Sequence, residues 1–153
     1  MKNTAYLFFL SVIISFYACE NKYKSPIPDV PVQISLNIFS YDPTFGGSIN
    51  DTLIFTYPRQ YPPFAVGYGG VLVIVGYDEN LSPRYYSYDL SCPYEADVNV
   101  RVYPNEEGYA VCRKCGSKYY LTDGWGRVSL GPSKFPLKRY QTDFVNNYLI
   151  IRN

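Results

Sequence analysis

The stretch Gly69-Gly-Val-Leu-Val-Ile-Val-Gly-Tyr77 is rich in β-branched residues and is bounded by glycines. Such side chains favour strands because they fit a pleated, half-buried surface. Further short runs rich in Tyr, Val and Ile are separated by Gly, Pro, Asn or Asp, at residues 32–39, 51–57, 84–90, 98–103, 108–112, 118–122, 137–142 and 147–152. No apolar period of 3.6 persists over a dozen residues. We therefore predict an all-β fold, a small sandwich or partial barrel of about nine or ten strands, with Val145-Asn-Asn147 turning a closing hairpin.

The stretch Cys112-Arg-Lys-Cys-Gly-Ser-Lys-Tyr-Tyr120 carries the most reactive side chains of this β-rich sequence. Its two thiols stand three positions apart and could bind a metal, cycle as a dithiol or close a loop as a disulfide. Dithiol catalysis of the thioredoxin type is disfavoured, because that chemistry wants its cysteines at the start of a helix and strand-like runs flank these. Metal binding and a disulfide remain open.

The amino terminus has the composition of an export signal. One early lysine precedes an apolar run from Ala5 to Tyr17, too short to span a bilayer comfortably, and Ala18-Cys19 follows. A small residue directly before a cysteine resembles the bacterial lipobox, in which that cysteine receives lipid and begins the mature chain. We predict a lipoprotein signal peptide at residues 1–18, lipidation of Cys19, and a polar, proline-rich tether over residues 19–31. The alternative is a plain secretory signal that leaves Cys19 as a thiol.

Residue counts exclude several classes of function. The chain contains no histidine, which removes Ser-His-Asp and Cys-His machinery and the zinc hydrolase motifs that begin with His-Glu. Its formal net charge is +1, and loss of Lys2 with the signal peptide would neutralise it, so no basic excess points to nucleic acid. Export implies an oxidising compartment, where cysteines tend to pair. Cys92, Cys112 and Cys115 cannot all pair within one chain, and the leftover thiol favours metal chemistry.

Three motifs stand in an order that resembles the Rieske iron–sulfur domain family. They are Cys92-Pro-Tyr94, then Cys112-Arg-Lys-Cys-Gly116, then a loop that runs from Gly131-Pro to Pro136-Leu137. In that family Cys-x-His and Cys-x-x-His-Gly loops hold a 2Fe–2S cluster, with both cysteines on one iron and both histidines on the other. The resemblance covers residues 71–152. It implies a Rieske-like β domain over residues 32–153, with the metal-site loops at one tip.

The resemblance places Cys92 and Cys112 at the cysteine positions, and Tyr94 and Cys115 where the family has histidine. It therefore implies cofactor binding by Cys92, Tyr94, Cys112 and Cys115, with metal–sulfur bonds from the three cysteines. A thiolate at position 115 is reasonable, since ordinary 2Fe–2S centres use four, whereas a phenol with a pKa of about 10 needs help from the metal. Zinc is an alternative, because three thiolates and one oxygen or water make a tetrahedral site. A third possibility is a domain that keeps the fold and binds no metal.

Acidic residues of the first loop enter these alternatives. Glu95 or Asp97 could supply an oxygen in place of Tyr94. An Asp97–Lys114 ion pair could brace the first two loops, at the positions where some Rieske proteins have a disulfide. It is equally open that Asp97 and Lys114 simply face water.

The functional expectation is an outer-membrane lipoprotein of a Gram-negative cell envelope. Its lipid would hold it to the membrane, and its tip would bind a 2Fe–2S cluster or another metal and pass single electrons to a redox partner protein. We expect no enzymatic activity, because the cluster carries the chemistry and the protein supplies binding and tuning. The rival is a metal-free interaction module, whose tyrosine-rich tip would bind a protein or glycan.

Overall fold

The computed structural model describes residues 24–60 and 63–153, so the predicted signal peptide and Cys19 lie outside the described residues. Within these ranges the chain forms short strands and one helical turn, which confirms the all-β prediction. The strands are β1 (Val32–Asn37), β2 (Thr52–Phe55), β3 (Arg59–Gln60), β4 (Pro63–Val66), β5 (Val71–Tyr77), β6 (Pro83–Asp89), β7 (Val102–Pro104), β8 (Tyr109–Cys112), β9 (Lys118–Tyr120), β10 (Arg127–Leu130), β11 (Arg139–Val145) and β12 (Tyr148–Arg152). The helical turn α1 (Ile38–Tyr41) follows β1. No helix in the described ranges is long and apolar enough to cross a membrane.

Eight strands form one antiparallel sheet in the order β2-β5-β6-β11-β12-β1-β4-β3. The longest pairing joins the whole of β5 to the whole of β6. The sheet curls until Phe55 on β2 packs edge to face against Phe64 on β4, with ring centroids 5.8 Å apart. This contact nearly closes the sheet into a barrel, which confirms the partial-barrel prediction.

The other four strands form a second sheet in the order β10-β9-β8-β7, and the apolar strand β5 lies between the two cores. Alternate β5 residues enter what we call the barrel core: Val32, Ile34, Leu36, Ile38, Phe45, Phe55, Phe64, Val66, Val71, Val73, Val75, Tyr140, Leu149 and Ile151. The intervening β5 residues enter the small-sheet core: Leu72, Ile74, Tyr88, Leu90, Cys92, Val102, Ala110, Cys112, Tyr119, Leu121 and Leu137. A strand that is covered on both faces needs an apolar residue at almost every position, which accounts for the run of valine, leucine and isoleucine.

The strands differ from the predicted runs in three respects. The run 32–39 stops being a strand at Asn37, because the Asn37 side chain accepts a hydrogen bond from the Ser40 N–H at 3.2 Å and caps α1. Of the run 98–103, only the last two residues join β7, and the preceding Arg101 forms an isolated bridge to Ser91. The short strands β3, β4 and β10 lie outside every predicted run.

The closing hairpin forms where the sequence predicts it. β11 pairs with β12 up to Val145 opposite Tyr148, and Asn146 and Asn147 make the turn. Their φ angles are 50° and 69°, the two positive values that a type I′ turn requires. Asparagine adopts this left-handed region more readily than most residues with a side chain, so the Asn-Asn pair fixes the register of the hairpin.

Residues 24–31, the described part of the predicted tether, contain a segment that lies against the barrel. Ile27 is buried, and the Lys138 Nζ donates to the carbonyl oxygen of Pro28 and to the Asp29 carboxylate, both at 2.6 Å. The Asn153 side chain donates to the Val30 carbonyl oxygen at 2.9 Å. Residues 27–30 therefore pack on the domain that is predicted to begin at residue 32.

Candidate metal centre

Cys92 lies in the loop that follows β6. Its N–H donates to the Val100 carbonyl oxygen at 2.9 Å, and its own carbonyl oxygen accepts from the Ala96 N–H at 2.9 Å. Ala96 has a φ of 50°, so the chain turns sharply there. These bonds hold the loop against the small-sheet core, where Cys92 is fully buried.

Cys112 ends β8, and Cys115 lies in the turn that leads to β9. The Cys112 N–H donates to the Ser117 carbonyl oxygen at 2.9 Å, and the Gly116 N–H donates to the Cys112 carbonyl oxygen at 2.9 Å. Gly116 has a φ of 75°, a value that glycine adopts without the strain that a side chain would bring. The Cys-x-x-Cys-Gly motif is thus a tight turn between two strands, which agrees with the argument against a thioredoxin-like helix.

The third predicted loop, residues 131–136, packs on this turn. The Ser133 N–H donates to the Ser117 Oγ at 3.1 Å. A Cβ atom on Gly131 would lie 2.5 Å from the Ser117 Cα, so only glycine permits this approach. These contacts bring the third predicted loop against the second.

The three thiols come together at this tip. The Sγ atoms of Cys92, Cys112 and Cys115 all lie within 4.8 Å of one another, and those of Cys92 and Cys115 are 3.6 Å apart. Cys92 and Cys112 are buried and Cys115 is partly exposed; all three are free, so neither disulfide alternative is formed in this structure. Thiolates are soft ligands that select zinc, Cu(I) and iron–sulfur centres. The two loops therefore assemble a donor set that fits a thiophilic metal.

Two hydroxyl groups flank the thiols, and the sequence analysis identifies neither of them. The Tyr119 hydroxyl lies 3.4 Å from the Cys92 Sγ, at a fully buried position on β9. The Cys115 thiol donates to the Ser117 Oγ at 3.2 Å. The available signal is the alternation of the strand, since Ser117 and Tyr119 have the same parity and both face inward. Hydrogen bonds from hydroxyls to a thiolate would stabilise its charge.

The same burial sets the protonation of the site. It raises the pKa of the Cys92 thiol to about 11, although hydrogen bonds from Tyr119 and the backbone oppose this shift. Burial also acts most strongly on Cys115, but hydrogen bonds to Ser117, and then to the other two thiols, outweigh it and lower the pKa of Cys115. The pKa of Tyr119 is raised, first by burial and then by its hydrogen bond to Cys92. Metal binding must therefore displace a firmly held proton from Cys92.

Of the other acidic and phenolic residues predicted for the site, Tyr94 and Asp97 are exposed on the first loop, and Glu95 is partly buried. The Tyr94 side chain is 54% exposed, so the phenol that lies against a cysteine is that of Tyr119; ligation by Tyr94 stays a prediction. Glu95 forms a 2.7 Å ion pair with Lys114, so Lys114 pairs with Glu95 instead of Asp97. The Asp97 carboxylate accepts a hydrogen bond from the Asn99 N–H at 2.8 Å. Among the described residues, the group of potential ligands contains the three thiols and neither carboxylate.

Comparison of the sequence with models of protein families gave no match, and comparison with curated proteins gave none either.

Proposed function

We propose that the protein is an exported lipoprotein of a Gram-negative cell envelope, whose β domain holds a metal centre and passes single electrons to a partner protein. The observation that carries this proposal is the group of three free thiols, contributed by two loops, with all sulfurs within 4.8 Å of one another. Iron bound by these thiolates would supply one-electron chemistry, as the 2Fe–2S cluster does in the Rieske family that the motifs resemble. The protein would bind, bury and tune the centre without being an enzyme itself.

The burial of the thiols suits electron transfer. Cys92 and Cys112 are shielded from water, and Cys115 gives the centre one edge near the surface. The hydroxyls of Tyr119 and Ser117 lie at hydrogen-bonding distance from two of the sulfurs. Solvent exposure and hydrogen bonds to sulfur are the main means by which a protein sets the potential of thiolate-bound iron.

The first loop offers a surface for a redox partner. Tyr94 and Val98 follow Cys92 in this loop, and their side chains are 54% and 36% exposed. Exposed apolar side chains that cluster on a loop are a common feature of protein contact sites. We propose that a partner docks here, so that its electron donor or acceptor approaches the exposed edge of the centre at Cys115.

Anaerobic purification of the full chain tests this function. We expect a coloured protein that contains iron, bleaches on reduction with dithionite and recovers its colour on oxidation. Cys92→Ser should lose metal and colour, whereas the matched variant Cys19→Ala should keep both. A colourless protein that contains zinc would contradict electron transfer but would agree with metal binding at this site. A colourless protein without metal would contradict the proposal and favour the interaction module.

Cell fractionation tests the anchor separately. If Cys19 carries lipid, Cys19→Ala should move the protein from the membrane fraction to the soluble fraction or leave it as an unprocessed precursor. A fully processed mutant that stays in the membrane fraction would contradict lipidation at Cys19.

A further inference from the structure

The three thiols are more compact than a centre divided between two irons requires. In the family arrangement Cys92 and Cys112 would share one iron and Cys115 would bind the other, so Cys92 and Cys115 would lie across the bridging sulfides. Instead, the Sγ atoms of Cys92 and Cys115 are 3.6 Å apart. Thiolates bound at about 2.3 Å from one tetrahedral ion lie about 3.8 Å from each other, which is close to the observed separation.

We propose that Cys92, Cys112 and Cys115 bind a single thiophilic metal ion and leave it a fourth, exchangeable coordination position on the side of Cys115. This inference rests on the metal centre of the proposed function and specifies how many ions it holds. The three thiolates provide three vertices of a tetrahedron, since every pair of sulfurs lies within 4.8 Å. Zn²⁺ and Fe²⁺ are the ions whose ligand preference fits this set.

The described residues supply no fourth ligand of the usual kinds. The chain contains no histidine, and the group formed by the three thiols includes no carboxylate. Asp89 and Glu95, each three residues from Cys92, are both engaged: Asp89 accepts hydrogen bonds from four groups, and Glu95 pairs with Lys114 at 2.7 Å. Two hydroxyl oxygens lie near the thiols, the Ser117 Oγ at 3.2 Å from the Cys115 Sγ and the Tyr119 oxygen at 3.4 Å from the Cys92 Sγ.

The Tyr119 hydroxyl is already directed at a sulfur, since it lies at hydrogen-bonding distance from the Cys92 Sγ. As a hydrogen-bond donor it would spread the charge of the Cys92 thiolate. It therefore acts as a positioning residue, and its oxygen is not available to the metal.

Ser117 plays the matching part at Cys115. Its Oγ accepts the Ser133 N–H at 3.1 Å and lies 3.2 Å from the Cys115 Sγ, so its own hydrogen can turn towards that sulfur once the thiol has lost its proton. Both hydroxyls are then donors to sulfur. Since Cys115 is the partly exposed thiol, the fourth position is filled from solvent on that side.

Cobalt loading of the full chain tests the inference. The metal-free protein, titrated anaerobically with Co²⁺, should bind one ion per chain and show thiolate charge-transfer bands together with the d–d bands of a tetrahedral ion. Added imidazole should shift the d–d bands, because it enters the exchangeable position. Tyr119→Phe should weaken Co²⁺ binding about 10–100-fold and keep the response to imidazole, because it removes a hydrogen bond and no ligand. Tyr120→Phe is the matched control, since Tyr120 packs on Tyr109 with ring centroids 5.3 Å apart, and it should bind Co²⁺ like the parent.

The outcomes separate this inference from the proposed function. Two irons and two sulfides per chain after anaerobic reconstitution would overturn the single ion and leave the electron-transfer proposal intact. Cobalt bands that ignore imidazole, or that lose their tetrahedral character in Tyr119→Phe, would overturn the exchangeable position. Failure to bind Co²⁺, Zn²⁺ and Fe²⁺ alike would overturn both proposals.

Discussion

The barrel core and the small-sheet core share β5, yet they are built from different side chains. The barrel core is aliphatic and aromatic, and Tyr140 is its one residue with a polar atom. The small-sheet core buries two cysteines and the phenols of Tyr88 and Tyr119. Packing stabilises most of the first core, where the Tyr140 hydroxyl is hydrogen-bonded to Asp89, whereas the second has more polar groups that need hydrogen bonds, or a metal, to offset their burial. One face of β5 thus packs into a mainly apolar core, and the other face packs into the core that contains the candidate metal ligands Cys92 and Cys112.

The boundary between the two cores should be the most sensitive part of the molecule. The buried carboxylate of Asp89 accepts hydrogen bonds from four groups: the N–H groups of Tyr68, Gly69 and Ser91, and the hydroxyl of Tyr140. Asp89→Ala would leave these donors unpaired at about 1–3 kcal/mol each, so we expect the free energy of unfolding to fall by about 4 kcal/mol or more. Chemical denaturation measures this loss. Asp143→Ala, which removes only a half-exposed ion pair with Arg152, is the control; equal losses in both variants would contradict the role of Asp89.

Two large-to-small substitutions should show whether metal binding depends on the small-sheet core more than on the barrel core. Ile74 lies in the small-sheet core and Leu149 in the barrel core, and both are fully buried. Ile74→Ala and Leu149→Ala should each lower the free energy of unfolding by about 2–5 kcal/mol. We expect Ile74→Ala also to weaken metal binding, and Leu149→Ala to leave it unchanged in the folded protein. Metal titration under native conditions checks this, and equal weakening would show that the two cores are not independent.

A pair of glycines should show how closely the third loop supports the metal site. Gly131 has a φ of 100°, and a Cβ there would lie 2.5 Å from the Ser117 Cα. Gly116 has a φ of 75° with nothing within 4 Å of such a Cβ. Gly116→Ala should therefore cost only backbone strain, about 1 kcal/mol, whereas Gly131→Ala should cost about 1–3 kcal/mol and also displace Ser117. Denaturation and cobalt spectra of both variants test this. An unperturbed cobalt spectrum in Gly131→Ala would contradict the inference that the third loop supports the metal site.

The smallest effect is expected from pH, and it should involve both cores. Burial raises the pKa of Tyr88 in the small-sheet core, and burial together with Asp89 raises that of Tyr140 in the barrel core, both above the ordinary value of 10.0. Because the folded pKa exceeds the unfolded one, this contribution to stability is fully present below pH 10 and is lost as the pH rises further. The free energy of unfolding should be flat near neutrality and fall above pH 10, less steeply in Tyr88→Phe and Tyr140→Phe. An equally steep fall above pH 10 in the parent and in both variants would contradict this origin.

The sequence predicts the strands that alternate or are covered on both faces, and it misses those defined only by pairing. The residues of β5 and of the β11–β12 hairpin carry their own signals, in β-branched side chains and in the Asn146-Asn147 turn. Strands β3 and β4 form an edge of the barrel and have no such pattern. The end of β1 is likewise decided by a local competitor, the Asn37 cap of α1.

The cysteine sulfurs of the site could be predicted from the sequence, whereas the hydroxyl oxygens beside them could not. The resemblance of the motifs to those of the Rieske family implies that Cys92, Cys112 and Cys115 meet, and their sulfurs do lie within 4.8 Å of one another. Tyr94 follows the motif but faces outward, while Tyr119 lies within a strand and reaches the thiols through the fold. Spacing along the chain makes Tyr94 the better candidate for a phenol beside the thiols. Only the tertiary structure shows that Tyr119 has this position.

The hydrogen bonds from Lys138 to residues 27–29 limit how far the domain can lie from a lipid attached to Cys19. If Cys19 carries the lipid, eight peptide links connect it to Ile27. An extended chain covers at most about 3.6 Å per link, so this linker is no longer than about 29 Å. Lys138 follows Leu137, which is buried in the small-sheet core with Cys92 and Cys112, so the linker meets the domain near that core. The anchor would then hold this end of the domain within about one bilayer thickness of the membrane surface, and a redox partner would have to meet it in that layer.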